Sequence, residues 1–260
     1  MQDSTYSDGQ PTNEAALSNL IRIKEVSAIS RARSMRLQPG DVIFGYDSTP
    51  FRSGINDFQD LLEECDEDAG VLLTIWRDGL IYNVVCYGPL GATYEFIDSE
   101  IAEKIQMDIN DYDFPKRQDL IVYEVLRDLY RRCEIIDTTP DPVATFVPPI
   151  WLVQHRLFEP LLAISLIYAI TFAVHWVLFV ISYIVLCVYF KRASLMMLRS
   201  FIVYRQYQMW LVIAARDLRE VQEACRKVDP KTHFKDSLVG DPVEDEKPKK
   251  KKKRSTIPGT

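Results

Sequence analysis

The chain has 260 residues, enough for one or two domains, and its 47% apolar and 26% charged residues are an ordinary globular balance. The net charge of −6 is unevenly placed: residues 191–260 hold 17 Lys and Arg against 9 Asp and Glu, a net of +8, which leaves −14 for residues 1–190. Five cysteines (Cys65, Cys86, Cys133, Cys187 and Cys225), odd in number, irregular in spacing and without a CxxC pair, argue against a disulfide framework and for a reducing compartment.

Residues 1–19 read as a flexible N-terminus. Met1 to Glu14 is polar and has no basic region before an apolar one, so no secretory signal is expected, and the first 150 residues are expected in the cytosol. From Leu20 to Val26 apolar and polar residues alternate, as in a half-buried strand. Gln38-Pro39-Gly40-Asp41 is a turn before a strand Val42-Ile43-Phe44. Asn56 or Asp57 can cap a helix over Asp57–Cys65, with Phe58, Leu61, Leu62 and Cys65 on one face. Val71–Arg77 and Leu80–Tyr87 read as strands joined by a tight Asp78-Gly79 turn.

The stretch Ser30-Arg31-Ala32-Arg33-Ser34-Met35-Arg36-Leu37-Gln38-Pro39-Gly40-Asp41-Val42-Ile43 resembles the PDZ signature S-x-A-x-x-x-x-L-x-x-G-D-x-I. The Asp47–Phe51 hairpin, the helix and the Leu73–Gly79 strand and turn follow at the spacing of that family, so the resemblance covers about 70 residues and implies an α+β PDZ-like domain over residues 20–90. PDZ domains take an extended peptide as an added strand and hold its carboxylate in a Gly-containing loop. Carried onto this chain, the resemblance makes Leu17, Ser18, Asn19, Leu20, Ile21, Phe58 and Leu62 candidate peptide-binding residues. The chain departs from the pattern in that loop, Ala16–Leu20, which has no Gly, and in the hairpin, which reads Asp47-Ser48 rather than Asn-Gly. A PDZ-shaped packing module that takes no peptide therefore remains the other reading.

Residues 94–135 read as cytosolic helices. Ile97–Ile105 is acidic and amphipathic, and Asp119–Cys133 sets Leu120, Val122, Tyr123, Leu126, Leu129, Tyr130 and Cys133 along a broad apolar stripe. The Pro-rich stretch within residues 136–156 reads as a linker and boundary.

A membrane segment is expected over residues 157–190. Leu161 to Phe190 has no Asp, Glu, Lys or Arg. Thirty helical residues would be about 45 Å long against a hydrocarbon core of about 30 Å, so a tilted helix, a helical hairpin and a re-entrant pair are the available forms. Arg156 before the run and Lys191, Arg192 and Arg199 after it favour both ends on the cytosolic side, hence a helical hairpin with His175-Trp176 at its tip. Trp151, Arg156, His175, Trp176, Lys191, Arg192 and Trp210 are the candidate membrane-interface residues. Residues 195–227, apolar but interrupted by Arg199, Arg205, Arg216 and Arg219, read as an interfacial amphipathic helix. Residues 228–260 read as a disordered basic tail in which Lys249, Lys250, Lys251, Lys252, Lys253 and Arg254 are candidate ligands of anionic lipid; the neighbouring apolar run argues for a lipid bilayer rather than nucleic acid.

Pro149-Ile150-Trp151 through Arg156, the apolar run, and the later Arg205-Gln206-Tyr207 and Ala215–Val221 segments are similar to an uncharacterised bacterial family of small hairpin membrane proteins. That resemblance implies a bacterial inner-membrane protein with cytosolic N- and C-termini, and no activity.

No HExxH, GxSxG, Walker A or GxGxxG motif occurs, and His155, His175 and His233 have no partner at metal-ligand spacing. No enzyme, metal or cofactor is expected. The expected function is that of a membrane-anchored scaffold or adaptor binding a protein partner at the cytosolic face, with a structural accessory subunit of a larger membrane complex as the alternative.

Overall fold

Alternation and turn residues direct the first half of the chain. In the computed structural model, which describes residues 20–66, 69–109 and 112–243, β1 (Ile21–Val26) buries Ile21 and Ile23. Ser30 caps a short helix, α1 (Arg31–Ser34), its hydroxyl accepting from the Arg33 N–H. Gly40 takes the left-handed φ of +99° in the turn before β2 (Val42–Tyr46). A second turn, with Asp47 and Ser48 both left-handed, leads into β3 (Thr49–Pro50). Helix α2 (Ile55–Glu63) buries Phe58 and Leu62, four residues apart and so on one face. Strands β4 (Val71–Arg77) and β5 (Leu80–Cys86) pair without a register shift around Asp78-Gly79, whose positive φ angles are those a two-residue hairpin turn needs.

β6 (Ala92–Phe96) then returns along β1, antiparallel, from Ile21↔Phe96 to Val26↔Ala92. Helix α3 (Ser99–Ile109) lays Ala102, Ile105 and Ile109 over Leu20, Val42 and Phe44 on the opposite face of the sheet from α2. The acidic helix expected near Ile97–Ile105 is thus present, two residues later at its start.

The rest of the chain departs from expectation in four places. The helix expected over Asp119–Cys133 is a β-hairpin, β7 (Ile121–Arg127) and β8 (Arg132–Asp137). Its apolar residues also satisfy a two-residue period: Tyr123 and Val125 join the main core, while Leu126 joins Ile136 in a separate cluster. Ile121, Val122 and Val125 are β-branched, which favours the strand. The turn is closed by the Asp128 carboxylate, which accepts from the Tyr130 and Arg132 N–H groups at 2.9 and 2.7 Å.

The Pro-rich linker of residues 136–156 contains two short helices, α4 (Pro142–Phe146) and α5 (Pro148–Gln154). Each begins on a proline, which has no N–H to waste in the first turn. After the apolar helices α6 (Phe158–Val174) and α7 (Trp176–Tyr204), the interfacial helix expected over 195–227 divides into three. Its start is the end of α7, its middle is β9 (Gln208–Ala215), and its end is α8 (Leu218–Val228). Leu211 to Ala215 are all buried, so this continuous apolar run is a strand covered on both faces. The tail, finally, is structured from 229 to 243, where His233–Phe234 forms β10, parallel to β8, and Gln222 Nε2 donates to the Asp236 carbonyl; the rest of the expected disordered tail lies outside the described residues.

The strands join into one ten-stranded sheet in the order β10, β8, β7, β9, β5, β4, β2, β1, β6, with β3 paired on β2. The seam between its halves is β5 against β9, registered at Asn83↔Ala214. There Thr74 Oγ1 donates to Asn83 Oδ1 at 3.0 Å, and Asn83 Nδ2 donates to the Tyr112 hydroxyl at 2.8 Å. A single core crosses the seam, with Ile43, Leu73 and Ile75 on one side and Val125, Leu211, Ile213 and Val221 on the other. The fold is therefore a mixed α/β sheet structure carrying a long apolar helix; residues 20–90 are part of the larger sheet rather than a separate unit.

Candidate membrane-facing and binding sites

The expected peptide groove is filled by the chain itself. Leu17, Ser18 and Asn19 lie outside the described residues. Leu20, Ile21, Phe58 and Leu62 are all core residues, at most 4% exposed. The edge of β1, where an added strand would pair, is covered by β6. Tyr94 of β6 sets its ring edge-on to Phe58, with centroids 5.3 Å apart, and Arg22 Nε holds Glu95 Oε1 at 2.8 Å. The sequence carried no sign of this, because β6 lies beyond the segment that resembles the PDZ pattern.

The apolar run is two helices that break at His175. That residue is extended (φ −165°), and its Nδ1 accepts from the Val177 N–H, capping α7. The two helices pack in opposite directions: Phe172 meets Phe179, and Tyr168 meets both Phe179 and Tyr183. Their outer surfaces are apolar and uncovered; Leu162, Phe172, Val174 and Trp176 are each about two-thirds exposed or more, at 74%, 66%, 68% and 65%. Soluble monomers rarely expose so continuous an apolar surface. Among the described residues one helix, Trp176–Tyr204, is long and apolar enough to cross a membrane, and Phe158–Val174 is a shorter apolar helix.

The interface candidates fall in different places. Arg156 before α6, Trp176 at the start of α7, and Lys191 and Arg192 where the apolar stretch of α7 ends are exposed, and His175 sits at the junction of the two helices. Trp151, by contrast, is 2% exposed and packs on Phe190, so it belongs to the interior of the helical layer. Trp210 is on β9, with the Arg127 guanidinium 4.6 Å above its ring, and is a sheet residue rather than part of an interfacial helix. Lys249–Arg254 lie outside the described residues.

Helix α7 is also the link to the sheet. Fourteen residues beyond Phe190 continue it without a break to Tyr204. Leu195, Leu198 and Ile202 on this extension pack against Leu126, Ile136 and Tyr207. Arg199 makes a two-pronged bond to the Glu124 carboxylate on β7, Nε to Oε2 at 2.6 Å. A planar guanidinium holding both oxygens fixes orientation as well as distance. Sequence spacing offered no hint of this pair, 75 residues apart.

Two cavities adjoin this extension. One, of about 600 Å³, is lined by Glu134, Asp137, Asp141 and Trp151. The other, of about 540 Å³, gathers Arg132, Arg156, Arg205, His233 and Lys235. His155 lines both, and burial pushes its pKa below the usual imidazole value. Among the described residues no group of three or more His, Cys, Asp and Glu could hold a metal ion. Buried Cys86, Cys133 and Cys225 have thiols raised by burial, to about 11 for Cys86 and about 12 for Cys133, which makes them poor nucleophiles at neutral pH.

Comparison with known proteins returns no family model that matches the chain and no curated protein that matches it significantly.

Proposed function

We propose that this chain is a membrane-anchored, non-enzymatic subunit: α6 and α7 enter one face of a bilayer as a re-entrant hairpin, and the sheet is held at that face as a docking platform for a protein partner. The observation that carries the proposal is the continuity of α7, which runs from bare apolar surface through Lys191 and Arg192 into the Arg199–Glu124 bond on the sheet. A flexible tether would leave the sheet free to turn; a helix bonded to it does not.

Length supports a re-entrant form. Trp176–Phe190 is 15 residues, about 22 Å of helix, against a hydrocarbon core of about 30 Å. The apolar part of α6 is no longer. Charged residues at the open ends of the two apolar stretches (Arg156 and Glu159, Lys191 and Arg192) fit one hydrated boundary.

Of the two roles, accessory subunit and peptide adaptor, the filled groove favours the first. An incoming peptide would have to displace β6, including its Arg22–Glu95 bond and the Tyr94–Phe58 contact. The test is purification of the tagged full chain from its native membranes in mild detergent, with co-purifying proteins quantified. One partner at fixed stoichiometry supports the subunit role. Several substoichiometric partners sharing a C-terminal sequence would replace it with the adaptor role, and the absence of any protein partner would overturn both.

A further inference from the structure

The 540 Å³ cavity beneath the apolar helices has a chemistry that anchoring alone does not require. Arg132 on β8, Arg156 after α5, Arg205 at the end of α7 and Lys235 after β10 come from four separate parts of the chain and line one space. Glu134 is the one carboxylate among the lining residues. Two of the four cations are already engaged: Arg132 Nε bonds Asp128 at 2.6 Å, and Arg205 reaches Glu134 at 3.4 Å. The side chains of Arg156 and Lys235 have no ion pair or hydrogen bond among the described residues. Gln154, Tyr207 and His233 add polar groups to the wall, and Leu198, Phe201 and Ile202 of α7 make its apolar side.

Converging cations that outnumber their carboxylate partners mark an anion site, and the guanidinium fork suits phosphate oxygens. The lining reaches from the start of the apolar helices toward the sheet: Arg205 is fifteen residues beyond Phe190 along the chain, and Arg156 is nearest the apolar surface. Arg156 is two residues before Phe158, the first residue of α6, and so stands at the boundary where the apolar surface begins. The apolar wall of Leu198, Phe201 and Ile202 beside these cations suits a ligand that has both a phosphate and an acyl chain.

We propose that this cavity binds a phosphate ester, with the headgroup phosphate of a membrane phospholipid as its source; Arg156 and Lys235 supply the free charge, while Arg132 and Arg205 are shared with their carboxylate partners. The inference rests on the membrane reading above. It is distinct from non-specific attraction of the basic tail, because it needs side chains at fixed positions.

The test uses the full chain in neutral detergent micelles, titrated with dihexanoyl-phosphatidylglycerol and, separately, with glycerol 3-phosphate, and read by tryptophan fluorescence, since the Trp151 ring lies tilted against the cavity residue His155, centroids 4.7 Å apart. The expected result is saturable binding of the phospholipid, weakened at least tenfold in the double variant Arg156→Gln/Lys235→Gln and unchanged in Lys24→Gln/Lys227→Gln, which removes the same charge elsewhere. Equal affinity of the first variant and the wild type, or equal loss in both variants, overturns the site. Equal binding of glycerol 3-phosphate overturns the lipid as source and leaves a soluble phosphate ester. Flotation of the wild type with phosphatidylcholine vesicles is run alongside: if it floats and the titration fails, the cavity inference alone is wrong, and if it does not float, the membrane reading is wrong.

Discussion

Asp41, 1% exposed, holds the turn that starts β2 to the far end of β4. Its two oxygens accept from Nε and Nη2 of Arg77, both at 2.6 Å, and Oδ2 also accepts from the Gln38 N–H. Removing one partner of such a pair strands the other in a dry site. Asp41→Ala should therefore lower stability by about 3 kcal/mol in urea denaturation, with little change in the slope. Two other carboxylates link stability to pH. Burial opposes ionisation of Asp128, but the backbone N–H and guanidinium of Arg132 outweigh it and hold the carboxyl below its usual range. Burial likewise opposes ionisation of Asp229, and the Lys231 N–H with the Arg127 and Arg131 guanidinia outweighs it. A carboxyl with a depressed folded pKa contributes stability above its unfolded value, about 3.9, and loses it as pH falls through the folded value. The melting temperature should thus be level near neutrality and fall below about pH 4, with a smaller fall in Asp229→Asn. Thiol chemistry gives a third residue-level check. In detergent, a maleimide should label Cys65, which is partly exposed and outside the apolar helices, and spare Cys86, Cys133 and Cys225 until the protein is unfolded.

Among the elements, α7 matters most, since it belongs to both the apolar pair and the sheet. Ser194→Pro would remove one backbone bond within the extension and clash with the preceding turn, at a cost of about 3 kcal/mol. We expect limited proteolysis to cut this variant between residues 191 and 205 and to leave the wild type intact there; equal resistance would mean that the junction does not depend on helical continuity. The elements also show what could be read in advance. Asp78-Gly79 and the Phe58/Leu62 face are local signals: the turn is where the residues place it, and the helix buries the expected face but begins two residues before Asp57, with Gly54 rather than Asn56 or Asp57 at its cap and the Asp57 carboxylate accepting from the Gly54 N–H. The 119–133 stretch satisfies two periods at once, and only the pairing of β7 with β8 and β9 decides for the strand. The Met209–Ala215 run is short and apolar, a pattern that does not distinguish a strand buried on both faces from a helix. Arg205 and Arg216 flanking it made an interfacial helix the natural reading, whereas in the structure they sit on either side of a strand inside the sheet. The cavity cations were not legible at all, because nothing in the sequence relates Arg132, Arg156, Arg205 and Lys235 before the strands and helices bring them together.

For the whole molecule, the proposed anchoring depends on how the apolar helices meet a bilayer. Their sides are bare, their apolar lengths fall short of a full hydrocarbon core, and their open ends carry charge. A re-entrant pair puts Glu159 and Arg192 on the same side as the sheet and keeps Trp176 within or near the opposite half of the membrane. A single span by α7 would separate Trp176 from Arg192 across the bilayer, with Trp176 reaching water on the far side. The most direct measurement is labelling by a membrane-impermeant maleimide in sealed vesicles of known orientation. Single cysteines are placed at Glu159, Trp176 and Arg192 in a chain carrying Cys65→Ser and Cys187→Ser. With a re-entrant pair, Glu159→Cys and Arg192→Cys are labelled from the same face and Trp176→Cys is labelled from neither. Labelling of Trp176→Cys from the opposite face, or of Glu159→Cys and Arg192→Cys from different faces, would contradict it.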